Sequence, residues 1–224
     1  MPPQATQTTL RQAFARWGMP ERLRVDNGIP WGSKGDLPTD LELWLAGLGV
    51  AVQANPPCSP QDNGVVERSN GTGKRWAEPS KARSAPDLQR TIDRMDQIQR
   101  DRYPHLDGKS RMEVYPRLAH SGRDYDQDWE SQNWDLHRAH DLLAGFVVPR
   151  EINRAGTLSV YNRNYYVGKA HANAIAFVSF DPQQQQWLFH DPHNHLLNHR
   201  PAPEVSASNI LALTVTCRRE RVHK

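Results

Sequence analysis

Cysteine and long apolar runs are both scarce in this sequence. The two cysteines, Cys58 and Cys217, match no metal-binding spacing, so we expect free thiols in a reducing compartment rather than a disulfide scaffold or zinc site. No stretch is long and apolar enough to predict a membrane span. The first residues, Met1-Pro2-Pro3-Gln4, lack the basic and apolar parts of a secretory signal. These absences predict a cytoplasmic protein with no membrane partner.

Basic and acidic side chains are equal in number over most of the chain. The formal net charge is +3, yet residues 1–78 hold eight basic and eight acidic side chains. Residues 206–224 hold four basic and one acidic, so this last segment accounts for the whole surplus. Bulk charge therefore does not predict a nucleic-acid partner, and any phosphate contacts must depend on local placement.

The first 78 residues alternate between helical and extended patterns. Apolar residues at helical spacing predict helices over 4–17 and 39–48, and a third from about Asn63 to just before Pro79. Alternating segments at 22–26 and 50–54 predict two strands. The order helix, strand, helix, strand, helix is typical of an α/β domain with a largely parallel sheet.

The middle of the chain is more polar. We expect a charged linker helix over 80–105, a loop-rich segment over 106–128 and a short helix over 130–144. The predicted buried anchors of the loop-rich segment are Met112, Val114, Tyr115 and Leu118.

From Phe146 the apolar period changes to two. Six short strands are predicted, at 146–152, 157–161, 164–168, 174–180, 186–190 and 195–199. Asn162-Arg163 is the expected two-residue turn between the second and third. Short strands at this spacing are typical of a small antiparallel barrel. We interpret residues 206–224 as a tail.

Two carboxylates stand out by their positions. Asp26 ends the first predicted strand, and sites in open α/β sheets gather beyond the carboxyl ends of strands. Glu67 shares one face of the third helix with Asn70, Gly71 and Lys74. Each has an ordinary alternative, since Asp-Asn-Gly is a common turn and glutamate is common on solvated helices.

Taken together, the pair predicts a divalent-metal site. Carboxylates side by side repel unless a cation lies between them. Mg²⁺ prefers hard oxygen ligands and needs only one or two carboxylates plus substrate phosphate. We therefore expect Asp26 and Glu67 to share a Mg²⁺ or Mn²⁺ ion.

Two segments, RLRVDNGIPWGS (22–33) and SPQDNGVVERSNGTGKRW (59–76), carry a family resemblance. They resemble the catalytic core of DDE-type transposases and integrases, of the bacterial insertion-sequence and retroviral kinds, which has a ribonuclease H-like fold. Asp26 matches the second catalytic aspartate and Glu67 the catalytic glutamate. The pattern LSVYNRNYYVG (158–168), with VSFDP (178–182) and WLFHDP (187–192), is similar to the small barrel that ends Mu-type transposases.

The resemblance implies an α/β plus all-β chain with four parts. These are the C-terminal part of a ribonuclease H-like core (1–78), a helical linker (79–144), a small antiparallel SH3-like barrel (145–205) and a basic tail (206–224). The implied activity is Mg²⁺- or Mn²⁺-dependent polynucleotidyl transfer in DNA transposition or integration, with Asp26 and Glu67 as catalytic metal ligands in a nucleoid-associated protein. The implied DNA contacts are Asn63, Arg68, Asn70, Lys74 and Arg75.

One catalytic residue of the family has no counterpart. The family's first aspartate lies on the first strand, whereas Glu21 is the only acidic residue before Asp26. We therefore expect an N-terminally truncated core that is inactive alone, acting as a homo-oligomer or with a partner chain that supplies the missing strands. The alternatives are a non-catalytic DNA-binding or regulatory transposase remnant, and an interaction module without a DNA role.

Overall fold

The computed structural model describes residues 2–26, 28, 30–31, 36–55 and 64–216, without the side chains of residues 65 and 66. Within these ranges the chain is a mixed α/β structure of helices and small sheets. It forms two compact units, each built from separated stretches of sequence. The first comprises residues up to Ala13, Glu21–Ala54 and the chain from Tyr125 onward, and the second comprises Phe14–Pro20 and Asn55–Asp124. The sequence-based boundaries at 78, 144 and 205 stay predictions.

The predicted order of elements in the first 78 residues is confirmed. The elements are α1 (Pro3–Trp17), β1 (Arg22–Val25), α2 (Asp40–Gly47), β2 (Ala51–Ala54) and α3 (Gly64–Ala77). Strands β1 and β2 pair in parallel, from Arg22 opposite Ala51 to Val25 opposite Ala54. Helix α2 begins at a capping box, in which Thr39 Oγ1 accepts from the Glu42 N–H and the Glu42 carboxylate accepts from the Thr39 N–H.

The second unit continues with α4 (Ala85–Asp101), a hairpin of β3 (Pro104–Leu106) and β4 (Lys109–Ser110), and α5 (Arg111–Val114). Two predicted anchors are wrong here, because Tyr115 and Leu118 are 50% and 52% exposed. Tyr115 ends the single-turn helix α5, and Leu118 lies in the short turn Pro116–Leu118 that follows. The other two, Met112 and Val114, are half-buried.

The helix predicted over 130–144 is two helices, α6 (Gln127–Asn133) and α7 (Leu136–Ala144). Trp134 ends α6 in an extended conformation, and its indole N–H donates to the Trp44 carbonyl at 3.0 Å. The Asp135 carboxylate then caps α7 by accepting from the His137 N–H at 2.8 Å.

Six antiparallel strands follow α7. They are β5 (Val148–Glu151), β6 (Thr157–Val160), β7 (Arg163–Tyr166), β8 (Ile175–Asp181), β9 (Gln186–His190) and β10 (Leu196–Pro201). Four form a sheet in the order β10-β9-β8-β5, and β6 pairs with β7 as a separate hairpin. In the described part of the chain these two sheets do not join into a closed barrel.

The turn between β6 and β7 differs from its prediction by one residue. Val160 pairs with Arg163, so the turn residues are Tyr161 and Asn162, at φ +46° and +59°. A two-residue type I′ turn requires positive φ at both positions, which asparagine tolerates well. The Tyr161 hydroxyl donates to the Pro38 carbonyl at 2.6 Å, a tertiary contact that favours this register.

The core of the first unit surrounds α2, in which Leu41, Trp44 and Leu45 are fully buried. Part of the predicted tail also belongs to this core, which corrects that prediction. Helix α8 (Ala207–Leu211) is followed by Val215, which is fully buried. The basic end of the predicted tail, residues 217–224, lies outside the described residues. None of the helices seen in the described ranges has the length and apolarity to cross a membrane.

Candidate functional site

Asp26 lies where the sequence places it, immediately after the last residue of β1. Its side chain is exposed, and its Oδ1 accepts from the Gly28 N–H at 3.2 Å. Because β1 and β2 are parallel, their carboxyl ends share one edge of the small sheet. The Asp26 carboxylate therefore stands at the type of strand end where ligands bind in α/β proteins.

Glu67 lies in the first turn of α3 and is exposed. Asn70 and Lys74, one and two turns further along the same face, are exposed as well. A Cβ atom built on Gly71 meets nothing within 4 Å. This face of α3 is consequently open, and another backbone can approach it closely at Gly71.

The predicted DNA-contacting residues do not all lie on one face of α3. Arg68 lines a groove with Ser69, Thr72 and Trp76, on a side of the helix away from Glu67. Arg75 is exposed in the last turn. Asn63 lies outside the described residues. Of these predicted contacts, Asn70 and Lys74 are the described ones that the spacing places on the Glu67 face.

Asp26 belongs to the first compact unit and Glu67 to the second. Their approach to one another, and hence the shared metal ion, stays a prediction. Among the described residues no group of three or more His, Cys, Asp or Glu side chains could hold a metal ion. Two carboxylates alone fall below that number, and they are hard oxygen donors of the kind Mg²⁺ accepts together with substrate phosphate.

Several histidines, His190, His193, His195 and His199, lie close together in the sequence around the turn at Asp191. Oδ1 of Asp191 accepts from the N–H groups of His193 and His195, at 2.8 Å each, and its Oδ2 lies 3.1 Å from His195 Nδ1. These contacts, first among them the backbone bond from His195, hold the pKa of Asp191 below its usual value. His199 Nδ1 lies 2.8 Å from the Gln186 amide oxygen. His193 and His195 therefore belong to the turn that joins β9 to β10.

A buried cluster around Glu130 was not predicted from the sequence. Its carboxylate accepts from Arg11 through Nε at 2.9 Å and Nη2 at 2.6 Å, from the Trp44 indole N–H at 2.9 Å, and from the Tyr125 hydroxyl. Burial raises the pKa of Glu130, but the hydrogen bonds from Arg11, Tyr125 and Trp44 outweigh it and hold the pKa below its usual value. The one sequence signal was Trp44 on an apolar stripe, since a buried indole N–H needs an acceptor.

A second buried carboxylate, Glu204, lies in the turn Pro203–Val205. It accepts from the Tyr165 hydroxyl at 2.5 Å and from the Trp187 indole N–H at 2.7 Å, and its other oxygen lies 3.8 Å from Arg163 Nε. Burial raises the pKa of Tyr165, and the hydrogen bond that its hydroxyl donates to Glu204 raises this pKa further. Glu204 is fully buried, so the cluster joins β7 and β9 to the turn rather than meeting a substrate.

No protein-family model matches this chain. The resemblance to DDE-type transposases and integrases therefore depends on the residues of segments 22–33 and 59–76 and of the C-terminal segments 158–168, 178–182 and 187–192. Any functional assignment depends on the chemistry of Asp26, of α3 and of their surroundings.

Proposed function

We propose that this chain takes part in DNA transposition or integration, as part of a Mg²⁺-dependent polynucleotidyl transferase of the DDE type. The proposal includes a partial ribonuclease H-like core, an SH3-like C-terminal domain, and Asp26 and Glu67 as metal ligands. The observation that carries it is the placement of two exposed carboxylates after consecutive parallel strands. Asp26 directly follows β1, and Glu67 lies in the first turn of the helix that follows β2.

The parallel pairing of β1 and β2 supports this placement. Val25 pairs with Ala54, so both strands end at the same level. Side chains that follow such strand ends face the crevice where α/β proteins bind their ligands. The loop before α3 lies outside the described residues, and the convergence of Asp26 with Glu67 is therefore the step to be tested.

The residues on the Glu67 face suit a phosphodiester substrate. The Lys74 ammonium provides a cation for phosphate, the Asn70 amide provides hydrogen bonds, and Gly71 leaves room for the substrate backbone. Mg²⁺, when bound, would activate the attacking hydroxyl or water and stabilise the leaving oxygen. Asp26 and Glu67 would hold the ion, and Lys74 and Asn70 would position the strand.

The sequence before Asp26 offers only Glu21 as a further carboxylate, and Glu21 follows α1 and Pro20 rather than ending a strand. We therefore assign metal and DNA binding to residues 1–224, and expect a third ligand from outside these residues. A second candidate, a non-catalytic DNA-binding or regulatory protein, is favoured by the lack of a third such carboxylate in residues 1–26. In that case DNA binding would survive alanine at both Asp26 and Glu67.

Mn²⁺ binding tests the proposal directly. Electron paramagnetic resonance would follow free Mn²⁺ during titration of the full chain, with a short oligonucleotide present to supply phosphate oxygens. We expect Asp26→Asn and Glu67→Gln each to weaken Mn²⁺ binding by about tenfold or more, because each replaces a carboxylate that binds the ion directly with a neutral amide.

The matched control is the double variant Asp96→Asn, Asp101→Asn, which removes two exposed carboxylates from α4. It should change Mn²⁺ affinity by less than about twofold, as expected for surface charge that does not bind the ion. If the control weakens binding as much as the two site variants do, the ion is held by general negative charge and the proposed site is wrong.

A further inference from the structure

The second unit contains an open groove with a volume of about 540 Å³. One wall is α3, and the other side is formed by the end of α4, strand β3 and the start of α5. The lining residues that matter here are Arg68, Thr72, Trp76, Tyr103, His105 and Arg111.

Two aromatic rings are solvent-exposed in this groove. Trp76 is 41% exposed and Tyr103 is 51% exposed. Their centroids lie 5.7 Å apart at an interplanar angle of 63°, so the rings meet edge to face. Exposed neighbouring aromatic rings of this kind are typical of a binding surface. Nucleobases stack on such rings largely irrespective of sequence.

The groove is cationic. Arg68 and Arg111 both line it, and none of its described lining residues is an aspartate or glutamate. Arg111 makes one long contact, from Nη1 to the Gln99 amide oxygen at 3.5 Å. Among the described residues, no carboxylate lies within the 4.0 Å ion-pair distance of either guanidinium. Both positive charges are therefore available to an anionic ligand, and guanidinium groups bind phosphate well.

The groove and the Glu67 face are different sides of the same helix. At about 3.6 residues per turn, Trp76 lies about 180° around the helix from Glu67, Thr72 about 140° and Arg68 about 100°. A ligand in the groove would therefore leave Glu67 open to its own substrate.

We propose that this groove binds unpaired nucleotides of a DNA strand, with bases stacked on Trp76 and Tyr103 and phosphates contacting Arg68 and Arg111. The site goes beyond the proposed transfer reaction, since neither Asp26 nor Glu67 takes part. An acidic peptide would satisfy the two arginines but would not use the two exposed rings. The combination of rings and guanidinium groups favours nucleotides.

Fluorescence anisotropy of the full chain with labelled oligothymidylate, and with an abasic strand of equal length, separates base stacking from phosphate contact. We expect the thymidylate strand to bind more tightly. Trp76→Ala and Tyr103→Ala should each weaken its binding by roughly five- to hundredfold and abolish the preference over the abasic strand. Trp76→Phe keeps a ring and should retain most of the affinity.

The double variant Arg68→Ala, Arg111→Ala should weaken binding of both strands. For this variant, the plot of log affinity against log salt concentration should have a slope smaller in magnitude by about 1.4. Each of the two lost phosphate contacts contributes about 0.7 to that slope on single-stranded DNA. The matched charge control is Arg94→Ala, Arg117→Ala, two exposed arginines outside the groove lining. The aromatic control is Tyr166→Ala, which removes a ring that is 46% exposed in the first unit.

Equal affinity for the thymidylate and abasic strands would overturn the proposal. So would a Trp76→Ala protein, folded by circular dichroism, that binds thymidylate as the Tyr166→Ala control does. Competition by polyglutamate as strong as that by thymidylate would show that the groove selects only negative charge, and would also contradict it. The groove uses no metal ion, so the preference for thymidylate over the abasic strand should persist in EDTA, which separates this site from the proposed metal site.

Discussion

Glu130→Ala should be among the most destabilising single substitutions in the first unit. Glu130 is 4% exposed and accepts hydrogen bonds from Arg11, Trp44 and Tyr125. Breaking a buried ion pair by removing one partner costs about 3–5 kcal/mol, because the remaining charge is left without compensation. The Arg11 side chain is 33% exposed, so water relieves part of that cost. The free energy of unfolding should therefore fall by about 3 kcal/mol, at the lower end of that range.

Glu130→Gln isolates the role of the charge. The amide oxygen can still accept a neutral hydrogen bond, so we expect a smaller loss, of about 1–2 kcal/mol. Urea unfolding followed by circular dichroism measures both variants, with the exposed Glu151→Gln as control, for which a change within about 0.5 kcal/mol is expected. A loss for Glu130→Ala no larger than that of the control would refute the reasoning.

The same cluster predicts a pH dependence. The Glu130 pKa is lowered from its ordinary value of 4.5. A carboxylate with a depressed folded-state pKa stabilises the fold above its unfolded pKa, and this contribution is lost as pH falls through the folded value. The stability difference between the wild type and Glu130→Gln should therefore be full at neutral pH and shrink below about pH 4.5. A stability difference that stays constant from neutral pH to below about pH 4.5 would contradict the ion pair between Arg11 and Glu130.

Three further predictions concern the tail, a turn and the reaction. Asp40 accepts from the Val215 N–H at 2.7 Å and from the Thr216 hydroxyl at 2.5 Å. Asp40→Asn should therefore lower the free energy of unfolding by about 1–3 kcal/mol and speed hydrogen exchange of the Val215 amide. Unchanged exchange at Val215 would argue against these two hydrogen bonds. Gly156 has φ +77°, and an added Cβ would lie 2.6 Å from the Gly168 carbonyl carbon. Gly156→Ala should therefore lower the free energy of unfolding by about 1–3 kcal/mol. An unchanged thermal unfolding midpoint would contradict this prediction. The purified chain alone should show no Mg²⁺-dependent strand transfer on a DNA-end substrate, and robust transfer would show that no third ligand is needed from elsewhere.

Local patterns predicted the elements whose formation depends on their own residues. Helix α1 was expected over 4–17 and spans Pro3–Trp17, because its apolar spacing and the following Gly18 and Pro20 are local signals. The parallel order of β1 and β2 followed from their alternation with helices. The positions of Asp26 at a strand end and Glu67 in a first helical turn were predictable for the same reason.

Features that depend on distant residues were not predictable. Arg11 and Glu130 meet across 119 positions, and no short motif marks such a pair. The break at Trp134 depends on a hydrogen bond to the Trp44 carbonyl, 90 positions away. The groove escaped prediction because Trp76 and Arg111 come together only when α3 packs beside α4 and the β3–β4 hairpin.

The convergence of Asp26 with Glu67 decides whether a metal ion can join them. Cysteine at both positions, in a chain whose Cys58 and Cys217 are replaced by serine, would be treated with a short bifunctional thiol reagent and analysed by intact mass. The control pairs Asp26→Cys with Ser69→Cys, an exposed residue on the opposite side of α3. We predict efficient intramolecular cross-linking of positions 26 and 67 and little for 26 and 69. Absence of the first cross-link, or equal yields for both pairs, would contradict a shared magnesium site.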